Sequence, residues 1–306
     1  MKTFFTRAAF LLFFLLPVLT RAQAPGNCLH LDGSNDYLTA TVSTLPTGRS
    51  SYTIEAWINP SSLTGSHGIA GWGAAGSVNE YNGLMLGMQG DQKVLINYWW
   101  DNDLGVVIPD FTGNWAHVAA TYDSTTNTRK LYLNGVLIAS DQPSGTHAVP
   151  SGNFLAGRTG GDEYFNGKLD ELRIWTVART ASQISSSMLN AVAPNTSGLV
   201  SYYNFDQGIP GGSNNGNTVL FDQISYSNNA TLVNFGLTGN TSNWLASYAM
   251  TAAPVPLPAG NISSTGFTAN WSAPLSGTFT RYLLDVSSDS LFGSFLSGYK
   301  GYDAGM

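Results

Sequence analysis

The chain has 306 residues, a net charge of −6 and only 10% charged side chains, well below the about 25% of ordinary soluble domains. Without a lysine or arginine cluster it offers no electrostatic footprint for nucleic acid or an anionic membrane surface, and suits neutral or cationic ligands. A single cysteine, Cys28, rules out an intrachain disulfide, so stability must come from a core.

In chain order, Lys2 and Arg7 precede an apolar run over 8–19, and Ala22-Gln23-Ala24 supplies a small-x-small site. This is the pattern of a secretory signal peptide over 1–24. The run is shorter than the about 18 to 20 apolar residues of a membrane span. The expectation is an exported protein, secreted or at the cell surface, without membrane insertion.

Short alternating segments then recur between turn residues: "CLHLDG", "YTIEAWINP", "GLMLGM", "KVLINYWW", "WAHVAATYD", "RKLYLNGVLIAS", "GKLDELRIW", "LVSYYNF" and "ATLVNFGL". Such spacing predicts an all-β, antiparallel sandwich or barrel. Asn134-Gly135 suits a type I′ hairpin turn, and one short helix is expected over 181–189. In "FNGKLDELRIW" the alternation puts Asp170 in phase with Leu172 and Ile174, toward the core, where an unpaired carboxylate is costly. A stiff, proline-rich linker over 251–259 follows. Beyond it, 260–306 supplies about half of the ~100 residues of an immunoglobulin-like sandwich.

"LDGSNDYLTA", "SYTIEAWINP", "NWAHVAATYD", "LYLNGVLIAS" and "FNGKLDELRIW" stand in the order of a laminin-G-like, concanavalin A-like jelly roll of the bacterial, pentraxin-related kind. The resemblance covers 28 to about 190 and implies a jelly-roll domain over 25–250. The stretch 198–247 either completes that sandwich, which is the expectation, or is a remnant of a second copy. "STGFTANWSAP" resembles the start of a fibronectin type III module, with Trp271 as its core tryptophan.

Four glutamates follow the signal stretch, Glu55, Glu80, Glu163 and Glu171. None belongs to the closely alternating acidic pair that jelly-roll glycoside hydrolases use, and an outward pairing of Glu55 with Arg173 is expected. No nucleophile elbow is present, and the histidines lack zinc-ligand spacing, His117 reading as structural. The chain is therefore expected not to be an enzyme.

The aromatics are more informative. In "NYWWDND" the strand sends Trp99 to one face and its neighbours to the other, so at least one ring should be exposed. Rings that stack on sugar faces beside carboxylates make glycan sites. Trp99 and Trp100, with Asp101 and Asp103, are the candidate ligand residues, joined by Trp72 and Tyr81 from neighbouring loops; the alternative is that these rings only fill the core. The family resemblance further implies a structural Ca²⁺ shared by Asp170 with Asp32 and Asp36 of the first turn. The alternative there is that Asp170 accepts hydrogen bonds from the amides of that turn. A pentraxin-type placement would use Asn79 and Glu80 with Asp162 and Glu163, although "RTGGDEYF" keeps only part of that loop. The expected function is non-catalytic recognition of a polysaccharide, a glycoprotein glycan or another extracellular ligand, within a longer multi-module chain. The runner-up is a structural spacer or adhesin segment of a surface protein.

Overall fold

The computed structural model describes residues 26–250 and, beyond them, the backbone of four strands. The expected signal peptide over 1–24 lies outside the described residues, as do most of 251–306 and with them the expected fibronectin-type module. The described part is a sandwich of two antiparallel sheets. Its strands are β1 (Asn27–Asp32), β2 (Tyr37–Ala40), β3 (Tyr52–Pro60), β4 (His67–Gly73), β5 (Tyr81–Gln89), β6 (Gln92–Tyr98), β7 (Leu104–Val107) and β8 (Ala116–Asp123). They continue with β9 (Thr128–Leu133), β10 (Val136–Asp141), β11 (Phe154–Ala156) and β12 (Asn166–Trp175). A short helix α1 (Ala181–Ser187) precedes β13 (Leu199–Tyr203), β14 (Val219–Leu220), β15 (Ala230–Val233) and β16 (Trp244–Ala246). Beyond residue 250, β17 (Val255–Gly260) pairs with β18 (Thr268–Ser272), and β19 (Tyr282–Leu284) pairs with β20 (Tyr302–Gly305).

One sheet runs β10-β9-β8-β3-β12-β1-β16, and the other runs β14-β15-β2-β11-β4-β5-β6-β7. Along one side of β12, β1 pairs with its first half and β13 with its second. The late strands thus enter both sheets: β16 pairs with β1 and β15 with β2. Strands of the stretch 198–247 are hydrogen-bonded to β1, β2 and β12. Alternation builds the core between the sheets, where Leu29, Leu31, Ile54, Ala56 and Ile58 face Leu38, Leu84, Leu86, Leu95 and Phe154. Each such Leu or Ile contributes about 1.5–3 kcal/mol on burial. The Asn134-Gly135 turn has positive φ at both residues, 49° and 76°, as a type I′ turn requires.

Asp170 does not share the core phase. Asp170 pairs with Trp57 and Arg173 with Glu55, so Glu171 and Leu172 together stand opposite the single residue Ala56. This is a β-bulge, with Glu171 in left-handed backbone at φ 52°, and the extra residue resets the alternation. Leu169, Leu172 and Ile174 point into the sandwich, while Asp170 points out of it with Arg173 and Glu55.

That outer face is covered. α1 starts with a capping box in which Thr180 Oγ1 accepts from Gln183 N (3.2 Å) and Gln183 Oε1 accepts from Thr180 N (2.8 Å). Ile184 of the helix buries against Ala119 and Tyr132, and Trp57 Nε1 donates to Met188 O at 2.7 Å. No helix among the described residues is long and apolar enough to cross a membrane.

Candidate functional site

The end of β6 is where strand alternation, a tight turn and half-buried rings coincide. Trp99 points inward and is buried. Its ring stacks on His147 at 3.6 Å and 8°, lies under the Arg129 guanidinium at 4.4 Å, and its Nε1 donates to Tyr52 Oη at 2.8 Å. Its neighbours Tyr98 and Trp100 take the opposite face and are half-buried. The chain then reverses through left-handed backbone at Trp100 (φ 59°) and Asp101 (φ 70°). Asp103 Oδ1 braces the turn by accepting from Trp99 N at 2.6 Å, and Asn102 Nδ2 donates to Asn79 Oδ1 at 2.5 Å and Ser144 O at 2.9 Å.

These two half-buried rings rest on a third. Tyr98 and Trp100 lie 5.4 Å apart and are tilted by 44°, with Tyr81 behind them at 5.8 and 6.0 Å. Tyr81 fits flat because Gly71 and Gly83 lie beneath it; a Cβ at Gly71 would come within 2.7 Å of its ring. The 158–164 loop closes over the same place, where a Cβ at Gly160 would stand 3.2 Å from Trp100 Cζ3. Asp101 is exposed beside Trp100. Burial, then the negative charges of Glu163, Asp103 and Asp101, hold the Tyr98 hydroxyl above its ordinary pKa.

Of the expected ligand residues, the structure brings Trp100, Asp101 and Asp103 to one face and corrects three others. Trp99 is core. Trp72 is not in a loop but on β4, fully buried, with Nε1 donating to Pro46 O at 2.7 Å. Tyr81 begins β5 and supports the half-buried rings from underneath, itself buried. Tyr98 was missed, although alternation alone places it on the same face as Trp100.

The expected calcium residues do not fit a shared ion. Asp32 is paired with Asn166, and Leu29 with Leu169, so Asp170 lies four residues along β12 from Asn166, about 13 Å at ordinary strand rise. Asp36 Oδ2 accepts from Asp32 N at 3.0 Å, and Asp32 Oδ1 accepts from Ser34 N at 2.8 Å. Asp170 is buried, its Oδ1 accepting from Glu171 N at 2.8 Å and its Oδ2 bonded to the Ser247 hydroxyl. Its amide partner is thus that of Glu171 and not one of the first turn. Burial, then the neighbouring Glu171, drives its pKa far above the usual carboxylate range. In the alternative set, Asn79 is engaged with Asn102, Glu163 Oε2 accepts from Thr159 Oγ1 at 2.6 Å, and Asp162 is exposed 3.8 Å from Arg158. Among the described residues no three His, Cys, Asp or Glu side chains are grouped to hold a metal.

Nor do the glutamates line a cleft. Glu55 and Arg173 are cross-strand partners as expected, but they are buried under α1 rather than outward in solvent. Glu55 Oε1 accepts from Arg179 Nη1 (2.7 Å) and Trp175 Nε1 (2.9 Å). Glu171 accepts from Arg173 and, at 2.6 Å, from Tyr202 Oη. His117, 4.0 Å from Glu55, is kept neutral by burial and then by Arg173 and Arg179, its pKa lowered to about 3. Cys28 is buried on β1 with its pKa pushed up by burial to about 12.

A family model described as concanavalin A-like lectin/glucanases superfamily (Laminin_G_3) matches residues 32–185, half of the chain. The chain belongs to this family. The matched span ends within α1, so β13 to β16 lie beyond it. No curated protein sequence matches the chain. Among solved structures, a protein from Bacteroides ovatus described as a candidate carbohydrate-binding protein is 28% identical, with a TM-score of 0.54 over 68% of this chain. The chain spans 58% of that protein's length. A weaker likeness is to a heptameric SAP-like pentraxin from Limulus polyphemus, at 20% identity and TM-score 0.46 over 60% of this chain and 93% of the pentraxin. Another weaker likeness is to domain 4 of an extracellular GH43 arabinanase from Geobacillus stearothermophilus, solved with arabinotriose. There the identity is 25% and the TM-score 0.41, over 52% of this chain and 75% of that domain's chain.

Proposed function

We propose that this laminin-G-like domain is an exported, non-catalytic carbohydrate-recognition module whose ligand lies on the Tyr98–Trp100 face. The observation that carries the reading is the pair of half-buried rings, held rigidly by Tyr81 beneath and by the Asp103 turn beside them, with Asp101 exposed at their edge. An aromatic surface of this kind stacks on the apolar face of a sugar, and the adjacent carboxylate accepts from its hydroxyls. The Bacteroides ovatus likeness supports the same class of ligand.

Two half-buried rings offer only a small contact area, so most of a bound glycan stays solvated. The affinity should be modest, with Kd between tens of micromolar and millimolar, about −4 to −6 kcal/mol. The test is a broad glycan array with residues 25–306, followed by isothermal titration of the retained glycans. Trp100→Ala should weaken binding about tenfold, since a stacked ring contributes about 0.5–1.5 kcal/mol beyond its buried area. Retention of no glycan, or equal binding by Trp100→Ala, would overturn the reading in favour of a spacer or adhesin segment.

A further inference from the structure

We propose that the Tyr98–Trp100 face selects glycans free of carboxylate and sulfate groups, uncharged or amino-sugar chains, and that Asp101, Asp103 and Glu163 set this preference. The inference rests on the reading of that face as the glycan site.

The three carboxylates approach the rings from two sides. Asp101 follows Trp100 directly, exposed and in left-handed backbone. Asp103 is fixed by its bond from Trp99 N, 2.6 Å long. Glu163 comes from the opposite loop, tied at 2.6 Å to Thr159 Oγ1, next to the Gly160 that packs against Trp100. Their charges converge on Tyr98, whose hydroxyl is held in its protonated form by burial first and then by each of the three.

Two arginines of the same region do not offset them toward a ligand. Arg158 spends its guanidinium inside its own loop, donating to Thr159 O (3.1 Å), Gly161 O (2.8 Å) and Tyr164 Oη (3.1 Å), between the rings of Tyr37 and Tyr164 at 5.0 Å each. Arg129 is buried over the Trp99 ring, paired with Asp141 at 2.6 Å and donating to Asn102 O; it attracts Asp103 from within the fold and presents no donor at the surface. A uronate, sialate or sulfate on a sugar stacked against Trp100 would meet like charges and neither of these cations. Specificity of this kind is built by repulsion of the wrong ligand as much as by attraction of the right one. Asp101 and Asp103 are exposed, so their repulsion should weaken as salt is raised.

The experiment is a glycan array holding neutral, amino-sugar, uronate and sulfated probes, read at low and physiological salt with residues 25–306. Expected are retention of neutral or amino-sugar probes that is lost in Trp100→Ala, and failure of the anionic ones. The change Glu163→Gln, which leaves the Asp101 acceptor in place, should raise retention of a uronate-bearing analogue of the best neutral probe by about fivefold. The neutral probe itself should change by less than about twofold. Anionic probes retained through Trp100 would overturn this inference and leave the glycan site standing. An array on which nothing is retained would overturn both.

Discussion

Replacing Arg173 by methionine keeps an unbranched stem out to the fourth side-chain atom and removes the guanidinium with its donors. Arg173 bonds Glu171, donates to Ser187 O at 3.0 Å and Asn190 O at 2.8 Å, stands 4.0 Å from Glu55 and lies over the Tyr202 ring at 5.0 Å. Glu55 would keep Arg179 and Trp175, so the uncompensated charge is that of Glu171, left with Tyr202 as a donor. Removing one partner of a buried ion pair costs about 3–5 kcal/mol. The two stranded carbonyls of the 187–190 segment push the value toward the upper end. At about 2–4 °C per kcal/mol for a domain of this size, the melting temperature should fall by about 10 °C. Thermal unfolding followed by circular dichroism measures the drop. Adding Glu171→Gln to Arg173→Met should recover part of the loss, because the stranded group is then neutral, and a double-mutant cycle reads the coupling. A single variant melting within about 2 °C of the parent would refute the claim that this pair is desolvated.

Three further outcomes are expected. Trp99→Ala should cost about 3–5 kcal/mol of stability as a large core truncation, whereas Trp100→Ala should cost glycan affinity with little change in the melt; equal melts for the two would contradict their opposite placement. His117 has a folded pKa near about 3 against 6.5 when free. Below pH 6.5 the unfolded chain therefore binds a proton that the folded one refuses, and its contribution to stability falls as the pH drops toward 3. Urea unfolding across that range should show a shallower acid loss in His117→Gln. Asp170 has the opposite sign: with a raised folded pKa its contribution is complete below about pH 4 and declines as the pH rises above it. Asp170→Asn, which keeps the bonds to Glu171 N and Ser247, should equal the parent in acid and exceed it at neutral pH, while Asp170→Ala should be destabilised throughout. A neutral-pH deficit in the asparagine variant would show that the carboxylate is charged in the fold.

Alternation made the long strands legible: "YTIEAWINP", "WAHVAATYD" and "GKLDELRIW" become β3, β8 and β12, because a residue period of two is set by the backbone itself. It left β4 hidden, since "HGIAGWG" carries three glycines whose missing side chains erase the pattern. Those absences are themselves functional, Gly71 and its partner Gly83 making room for Tyr81. The phase of Asp170 was misread because a bulge inserts one residue without any residue type announcing it; non-glycine backbone at positive φ, as at Glu171, leaves no trace in hydropathy. In "NYWW" the sequence says that adjacent rings face opposite ways and not which of them is inside. That choice was made by His147, Arg129 and Tyr52, from three separate stretches of chain. The charge pattern near Trp100 was equally hidden, because Glu163 joins Asp101 and Asp103 only through the fold.

The strand that opens the domain is finished by the strand that closes it. Cys28 meets the carbonyl of Leu245 across a sequence separation of 217 residues, and before that segment emerges the first strand has an open edge on its β16 side. Pairings of such range form late, since the loop must close before the contact stabilises anything. A chain still being made would therefore carry exposed edges on β1, β2 and β12, the sort that recruit other strands. The same geometry sets the smallest piece that can stand alone. Cutting at residue 185, where the family likeness ends, would strip a neighbour from each of those three strands, so the folding unit is some sixty residues longer than the stretch by which its family is recognised.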